Sequence, residues 1–396
     1  MNDENLRILV LSEAFPFDAN SEAFFLPEIL ALREAASLAF APQGVSGSLY
    51  GGIKDVVFHP RNWRLSIPVL MSLGLVFRSA ASDLFSLIAV KDAKPRAAVW
   101  AVAKEALQVI RRLGKVDWSR IRDWQPSRIY SLWGRTEGVC AIAIANYLRI
   151  ERVVVRHHNH DLYEERTSAN FIPGMRLYLS SPITFPVFLC PEAESYAVAR
   201  FGATRSSVVP LAIERETRDL SRVASDSIRL ISISYESPVK RHGLLAEIMF
   251  ELQNRNISFS WTHIGKSQSL GALANQPFKN PNFDYKGSLA NSEVRTILQR
   301  NEFHFLISTS EFEGLPFTML EAVSAGVPSL GTDVGCVVSA LGAEAVLPAT
   351  CTHDEWVDFI QSRVSRRDSI YKTQAKFVQD LTASKTTLAL LRSLDG

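Results

Sequence analysis

Apolar and polar stretches repeat one unit along this chain: a short apolar run, a turn-rich segment, and a stretch with helical spacing that leads into another apolar run. Residues 7–11 (RILVL) have strand length and are followed by the turn formers Ser12, Glu13, Pro16, Asp18, Asn20 and Ser21. Residues 22–36 then place Phe25, Ile29, Leu32 and Ala36 at helical spacing, so the chain opens as strand, loop and helix. Further strands are expected at 128–132 (RIYSL), 152–155 (RVVV), 187–190 and 207–209, with the helical GVCAIAIANYLR between the first two. The polar stretch LAIERETRDLSRVASDS has no steady period, and the pattern restarts beyond it. A strand at 229–232 precedes the loop YESPVKRHG and a helix at 244–252; a strand at 259–264 ends at Gly265, and a helix at 291–300 follows. The expected fold is α/β, with two Rossmann-like doubly wound domains facing across a cleft. Their expected spans are 1–212 and 213–396, with the last helix crossing back. Ligands of such sheets bind at the carboxyl ends of the strands.

The most informative stretch is 306–335, LISTSEFEGLPFTMLEAVSAGVPSLGTDVG. Phe303, Phe305, Leu306 and Ile307 form an apolar strand, Ser308 to Gly314 a polar turn, and Pro316 sits where a helix begins. Gly326 closes that helix, and the next strand starts near Val327. A helix N-terminus above strand ends offers unpaired N–H groups to an anion such as phosphate. Glu313 and Glu321 bracket that position. Glu321 lies ~7.5 Å along the helix axis from Pro316, and its two acceptor oxygens suit a vicinal diol such as a ribose 2′,3′ pair. Taken singly, Glu313 reads equally as a turn acid and Glu321 as a solvated helix acid.

Composition narrows the function classes. The 396 residues are 47% apolar, enough for two buried cores. Lys and Arg total 43 against 41 Asp and Glu, so no global charge favours nucleic acid, and no zinc-like spacing or dense basic run revives that reading. Cys140, Cys190, Cys336 and Cys351 form no CxxC pair and are expected to be free thiols in a cytoplasmic protein. MNDENLRILVLSE does not resemble a signal peptide.

Residues 65–90 approach bilayer-spanning length, but Arg78 and Asp83 fall in the middle and Pro68 interrupts the start. Two helices, buried or at an interface, are expected there. The next segment carries Lys91, Lys94, Arg96, Lys104, Arg111, Arg112 and Lys115 against Asp92 and Glu105. A basic amphipathic surface of this kind suits anionic lipid head groups, and a solvated helix face fits the same residues equally.

EGLPFTMLEAVSAGVPSLGTDVG resembles the E-x7-E motif of retaining GT-B glycosyltransferases, in the large bacterial family four that builds polysaccharide and lipopolysaccharide. YSLW, RHHNHDLYEER, ISISYESPVKRHGLL, WTHIG and YKGSLANSEVRTIL extend the resemblance over most of the chain in that family's order. The resemblance implies that Glu313 meets the donor sugar hydroxyls and Glu321 the ribose. It further implies that the N–H groups of the stretch Leu315, Pro316, Phe317 and Thr318 bind the diphosphate, that Gly265, Gly314 and Arg241 also belong to the donor-binding set, and that Lys240 neutralises the leaving phosphate. His158 and Asp161 match the family's H-G-x-D pattern, in which the His contacts the sugar near the anomeric carbon. Alone, these two read as a hydrogen-bonded loop His and a capping Asp. The chain departs from the pattern in four places. Tyr235 stands where the family often has Arg, Asn159 follows the His in place of Gly, Gly335-Cys336 replaces Gly-Gly, and FPFDANSEAF replaces a glycine-rich turn.

No D-x-D occurs, so no metal or other cofactor is expected, and three His on the short loop with His157 and His160 do not by themselves make a tetrahedral site. The implied activity is transfer of a sugar from a UDP-, GDP- or similar nucleotide donor to a glycan or lipid-linked acceptor in surface polysaccharide biosynthesis. The expected location is cytoplasmic, with peripheral contact at the inner face of the membrane and no nucleic-acid partner. Two rivals carry different expectations. A non-catalytic nucleotide-sugar-binding partner of a synthase complex would show no turnover with any donor. A sugar-nucleotide hydrolase or epimerase would form free sugar or an epimer without an acceptor.

Overall fold

The structure is a computed structural model, and it describes residues 6–17, 21–44, 47–51, 53–214, 223, 226–274, 283–300 and 302–395. The chain forms two compact units, Met1–Ala212 together with Ala383–Gly396, and Ile213–Thr382. In the first, strands β1 (Arg7–Ser12), β2 (Ser37–Pro42), β3 (Val56–Val57), β4 (Arg128–Ser131), β5 (Val153–His157), β6 (Thr184–Phe188) and β7 (Ser207–Val208) form one parallel sheet ordered β3-β2-β1-β4-β5-β6-β7. Helices α1 (Leu26–Arg33), α2 (Ile67–Ser86), α3 (Pro95–Leu113), α4 (Trp118–Trp124), α5 (Arg135–Leu148), α6 (Met175–Leu179) and α7 (Pro191–Phe201) lie between the strands in sequence. The central strands are apolar on both faces, as a parallel sheet covered by helices requires; Val153, Val154 and Val155 are all fully buried.

The second unit has strands β8 (Ile228–Ile233), β9 (Phe259–Ile264), β10 (Phe283–Gly287), β11 (Phe305–Ile307), β12 (Ser329–Asp333) and β13 (Val346–Pro348), ordered β10-β9-β8-β11-β12-β13 and all parallel. Its helices are α8 (His242–Asn254), α9 (Gln268–Ala274), α10 (Asn291–Gln299), α11 (Phe317–Ser324), α12 (Val337–Leu341), α13 (His353–Val364) and α14 (Arg367–Gln379). Helix α15 (Ala383–Asp395) belongs to the first unit and packs on α1. There Leu394 and Ser393 carbonyls accept the guanidinium N–H groups of Arg128 on β4 and Arg152 beside β5, each at 2.8 Å. Each sheet reverses its winding direction once, between β1 and β4 and between β8 and β11. At such a point the loops leaving the two strands diverge and open a crevice.

Four sequence expectations change. Residues 22–36 form a 3-10 turn (Ser21–Phe25) and then α1, because Pro27 sets the helix start at Leu26. Residues 65–90 contain one long helix rather than two, since Pro68 stands in its first turn, where the missing N–H costs nothing. Arg112, grouped with the surface cations, is buried, and its Nη2 donates to the Ser12 and Ala41 carbonyls at 2.9 Å each. Cys140 and Cys351 are free buried thiols, but Cys190 and Cys336 are not free. Asp18, Ala19 and Asn20 of the FPFDANSEAF stretch lie outside the described residues.

Candidate functional site

In the second unit the loops leaving β8 and β11 meet at the carboxyl edge of the sheet. Pro238–Lys240 is a short 3-10 turn, and Arg241 follows it in the left-handed region at φ 48°. Three contacts join this turn to the β11 loop. Thr309 Oγ1 donates to the Lys240 carbonyl at 3.0 Å, Glu311 N–H to the Val239 carbonyl at 2.7 Å, and Arg241 Nε to the Thr309 carbonyl at 2.5 Å. Arg241 Nη1 reaches the Ala349 carbonyl, while its Nη2 is buried without a hydrogen-bond partner. The turn therefore holds Lys240 Nζ 2.6 Å from Glu313 Oε1. Both side chains keep some solvent contact, 21% and 15%, so the pair is accessible to a ligand.

Helix α11 begins immediately beyond Glu313. Pro316, its N-cap, has no N–H to offer, and the first turn carries no acid. Among the described residues the N–H groups of Thr318 and Met319 have no hydrogen-bond acceptor, so the positive end of the helix is left unneutralised. Two glycines let other backbones pass close by. A Cβ at Gly335 (φ +54°) would lie 1.8 Å from the Glu313 carbonyl oxygen, and one at Gly265 (φ +130°) 1.9 Å from that of Ser234. Gly314, Leu315 and Pro316 are buried, and Phe317 and Thr318 are half-buried. Glu313, Gly314, Leu315, Pro316, Phe317, Thr318, Lys240 and Arg241 are thus gathered in one region, with Gly265 packed on the exit of β8.

Glu321 lies one turn further along α11. Among the described residues its carboxylate accepts no hydrogen bond, and burial pushes its carboxyl up to about 7 from 4.5, with Arg295 opposing and Glu214 adding to the shift. A carboxyl whose folded pKa is raised contributes its full stability below the unfolded value and loses that contribution as pH rises toward the folded one, here between 4.5 and about 7. Glu321→Gln keeps the shape without the charge. It is expected to melt above the parent at about pH 8 and level with it at about pH 4, and equal shifts at both pH values in calorimetry would refute the burial account.

Several supports in this unit were not visible in the sequence. His242 is buried and bridges two loops, with Nε2 2.8 Å from Ser234 Oγ and Nδ1 2.9 Å from Ser267 Oγ. Burial lowers its pKa, so it acts as a neutral hydrogen-bonding strut. Glu236 caps the start of α9, accepting the Gln268 N–H at 2.6 Å and the Ser269 hydroxyl. Those bonds lower its pKa. Tyr235 is exposed beside them.

In the first unit β5 runs further than expected and ends at His157. His158 follows with its Nε2 3.1 Å from the Leu132 carbonyl; a carbonyl can only accept, so Nε2 carries the proton. Trp133 lies against the ring at 4.3 Å between centroids, with Phe25 and Phe24 edge-on at 5.5 and 5.8 Å. Burial first, and Arg156 second, hold the His158 pKa well below its usual range, so the ring is neutral. Asp161 turns back to accept the His158 N–H at 2.6 Å and the Gly134 N–H at the start of α5. Burial raises its carboxyl to about 7 against the pull of those two donors. His157 is not beside His158 in any metal-like sense. It is buried between Tyr178 and Phe188, stacked at 5.5 and 5.1 Å, with both ring nitrogens unpaired.

Trp133, Gly134 and Glu22 are the residues sequence reasoning passed over here. Glu22 accepts N–H groups from Ala14 at 2.7 Å and Phe15 at 2.5 Å, and Trp133 Nε1–H at 2.5 Å. One buried carboxylate thus shapes the loop after β1 and steadies the ring that covers His158.

Two parallel sheets of this strand order, each with its gathered loops at the carboxyl ends, define the two-domain Rossmann-like GT-B fold of glycosyltransferases. Solved structures with this fold align over nearly the whole chain. The apo form of the lipopolysaccharide outer core galactosyltransferase WaaB superposes with a TM-score of 0.66 at 11% identity, covering 98% of this chain and 99% of that one. TarM gives 0.68 at 10% identity over 99% of both chains. Sucrose-phosphate synthase from Thermosynechococcus elongatus gives 0.67 at 10% identity over 98% of both. At such identities the likeness is one of fold. The sequence matches no known family and no curated protein.

Proposed function

We propose that this protein is a retaining, metal-independent hexosyltransferase of family-four type. It takes a sugar from a nucleoside diphosphate donor and passes it to a glycan or lipid-linked acceptor in surface polysaccharide biosynthesis. The observation that carries the reading is the Lys240–Glu313 pair at 2.6 Å beside the unneutralised N-terminus of α11, with Glu321 further along the same helix. A diphosphate needs positive charge fixed in advance, and Lys240 with the N–H groups of Thr318 and Met319 supplies it; Glu313 and Glu321 then accept from sugar and ribose hydroxyls. His158, neutral and held by Trp133 and the Leu132 carbonyl, contributes a hydrogen-bonding ring near the sugar, and Asp161 fixes its loop. The bond from the anomeric carbon to the β-phosphate oxygen breaks, and its electrons stay with the phosphate. The acceptor hydroxyl bonds to that carbon from the face the diphosphate leaves, and its proton passes to the departing phosphate oxygen. The work is placed in the cytoplasm, at the inner face of the membrane.

Superposed neighbours support a nucleotide-sugar ligand in general terms: one was solved with UDP-2-fluoro glucose and another with UDP and an α-GlcNAc-glycerol. Thermal shift with UDP-, GDP- and ADP-sugars is expected to single out one base. The selected donor should then turn over only when an acceptor is present. Binding without turnover for every acceptor tried would favour a non-catalytic partner, and acceptor-independent release of free sugar a hydrolase.

A further inference from the structure

Helix α2 carries a buried stripe on one side and an exposed apolar stripe on the other. Its inner stripe, including Val69, Ser72, Val76 and Ser79, is buried. Asp83 belongs to that stripe and accepts the Gly174 N–H at 2.7 Å, so α2 is a packed helix of the first unit despite a length and mean hydropathy that would suit a membrane span. The outer stripe (Ile67, Leu70, Met71, Phe77, Leu84, Phe85) repeats at helical spacing and stays in solvent. Helix α3, which packs on α2, adds the exposed Val99 and Trp100. Exposure is highest toward the connection between the two helices, at 77% for Phe85 in the last turn of α2, 83% for Ile88 in the connection and 77% for Trp100 in the second turn of α3.

The exposed charges around this ridge are positive with one exception. Asp83 and Glu105 point inward, which leaves Asp92 as the exposed acid between residues 63 and 115. Arg78, Lys91, Lys94, Arg96, Lys104, Arg111 and Lys115 are all exposed. Two copies of such a face would bring like charges together, so a second copy of this chain is a poor occupant; an anionic lipid surface matches both the cations and the apolar side chains. The hairpin tip is also firmly seated. Ala98 and Val102 pack with Ala169 and Phe171, and the Lys94 N–H donates to the Ala169 carbonyl at 2.9 Å.

We propose that the tip of the α2–α3 hairpin docks on an anionic bilayer, with Phe85, Ile88 and Trp100 entering the headgroup boundary and Lys91, Lys94 and Arg96 meeting lipid phosphates. This deepens the peripheral placement in the proposed function and commits to an insertion mode that charge alone would not give. The test is flotation of the full chain with phosphatidylcholine vesicles with and without phosphatidylglycerol, at low and high salt. The parent is expected to float with the anionic vesicles and to keep part of its binding at high salt. The F85S/I88S/W100S variant should lose the salt-resistant part. The K91E/K94E/R96E variant should lose at least roughly a hundredfold in partitioning, at about fivefold for each of the three cations removed. Quenching by lipids brominated in the acyl chain should be reduced in Trp100→Phe alone. Absence of parent binding, binding of F85S/I88S/W100S equal to the parent, or a concentration-dependent dimer abolished by that variant would each overturn the proposal. Because no donor or acceptor enters the assay, its failure is distinct from failure of the transferase reading, which rests on turnover.

Discussion

Lys240→Ala is expected to cut transfer by roughly a hundredfold to a thousandfold while the protein stays folded. The lysine sits on a short turn that is anchored through its backbone. Its carbonyl accepts Thr309 Oγ1, its own N–H reaches the Ser237 carbonyl at 3.0 Å, and neither contact needs the side chain. Removing the ammonium group therefore leaves the loop in place and, on the proposed function, takes away positive charge where the leaving diphosphate would develop negative charge. The lost ion pair with Glu313 is partly exposed and should cost at most about 1 kcal/mol of stability. Donor affinity and turnover separate the possibilities. A transition-state role predicts a larger loss in turnover than in donor binding, measured under single-turnover conditions. Glu313→Gln adds a second arm, because it removes the competing carboxylate: if Lys240 mattered only as the partner of Glu313, the two substitutions would have equal effects and the double variant no further loss. A Lys240→Ala enzyme with parental turnover would sink the role assigned to it.

The second large effect is structural. Arg156→Met is expected to destabilise the first unit by roughly 3–5 kcal/mol, because it leaves the buried Glu28 carboxylate without its cation. Arg156 and Glu28 are both fully buried, with Nη2 2.5 Å from Oε2. Tyr130 completes the set: its hydroxyl donates to Glu28 Oε1 at 2.7 Å and accepts from Arg156 Nε at 2.6 Å, while Arg156 Nη1 donates to the Val209 carbonyl. Helix α1, strands β4 and β5 and the segment after β7 are thereby tied at one point, directly before His157 and His158. In calorimetry the transition of this unit should fall by roughly 10 °C. The double variant Glu28→Met/Arg156→Met, which buries no lone charge, should recover much of the loss. A single variant within about 1 kcal/mol of the parent, or a double variant less stable than the single, would show that the pair is not what holds these elements.

How much of this was legible in the sequence depended on whether the signal was local. Strands β1, β4, β5, β8, β9 and β11 are apolar runs bounded by turn formers, and the sequence pattern locates them to within a few residues. Strand β10 (FDYKG) was not visible because it is an edge strand, half-exposed and polar, and β2 (SLAFAP) because its run is short and lacks the β-branched residues that mark a strand. The helix start at Leu26 was carried by a single Pro27 inside a longer apolar period. Glu313, the α11 N-terminus and Glu321 were readable because they lie within one strand–turn–helix unit. The linkage of Lys240 to Glu313 came from a resemblance, since 72 intervening residues carry no spacing rule. The contacts of Glu22, Trp133 and the Ser234–His242–Ser267 bridge were not readable, although Trp133, Ser234 and His242 fall in segments that carry the resemblance: each joins loops that only the sheet topology brings together. Likewise, the inward turn of Asp83, Glu105 and Arg112 takes two acids and one cation off the α2–α3 surface and so raises its positive excess, which composition alone could not divide between inside and outside.

The return of α15 to the first unit also governs how the protein can be divided. Residues 213–382 form one uninterrupted segment, so the second unit can be produced from a single continuous gene fragment. The first unit cannot. A fragment ending at residue 212 would deprive Arg128 and Arg152 of the Leu394 and Ser393 carbonyls and α1 of the helix packed on it. A workable version of that half must join residue 212 to residue 383 through a short linker, which treats the second unit as an insert in the gene rather than as its end.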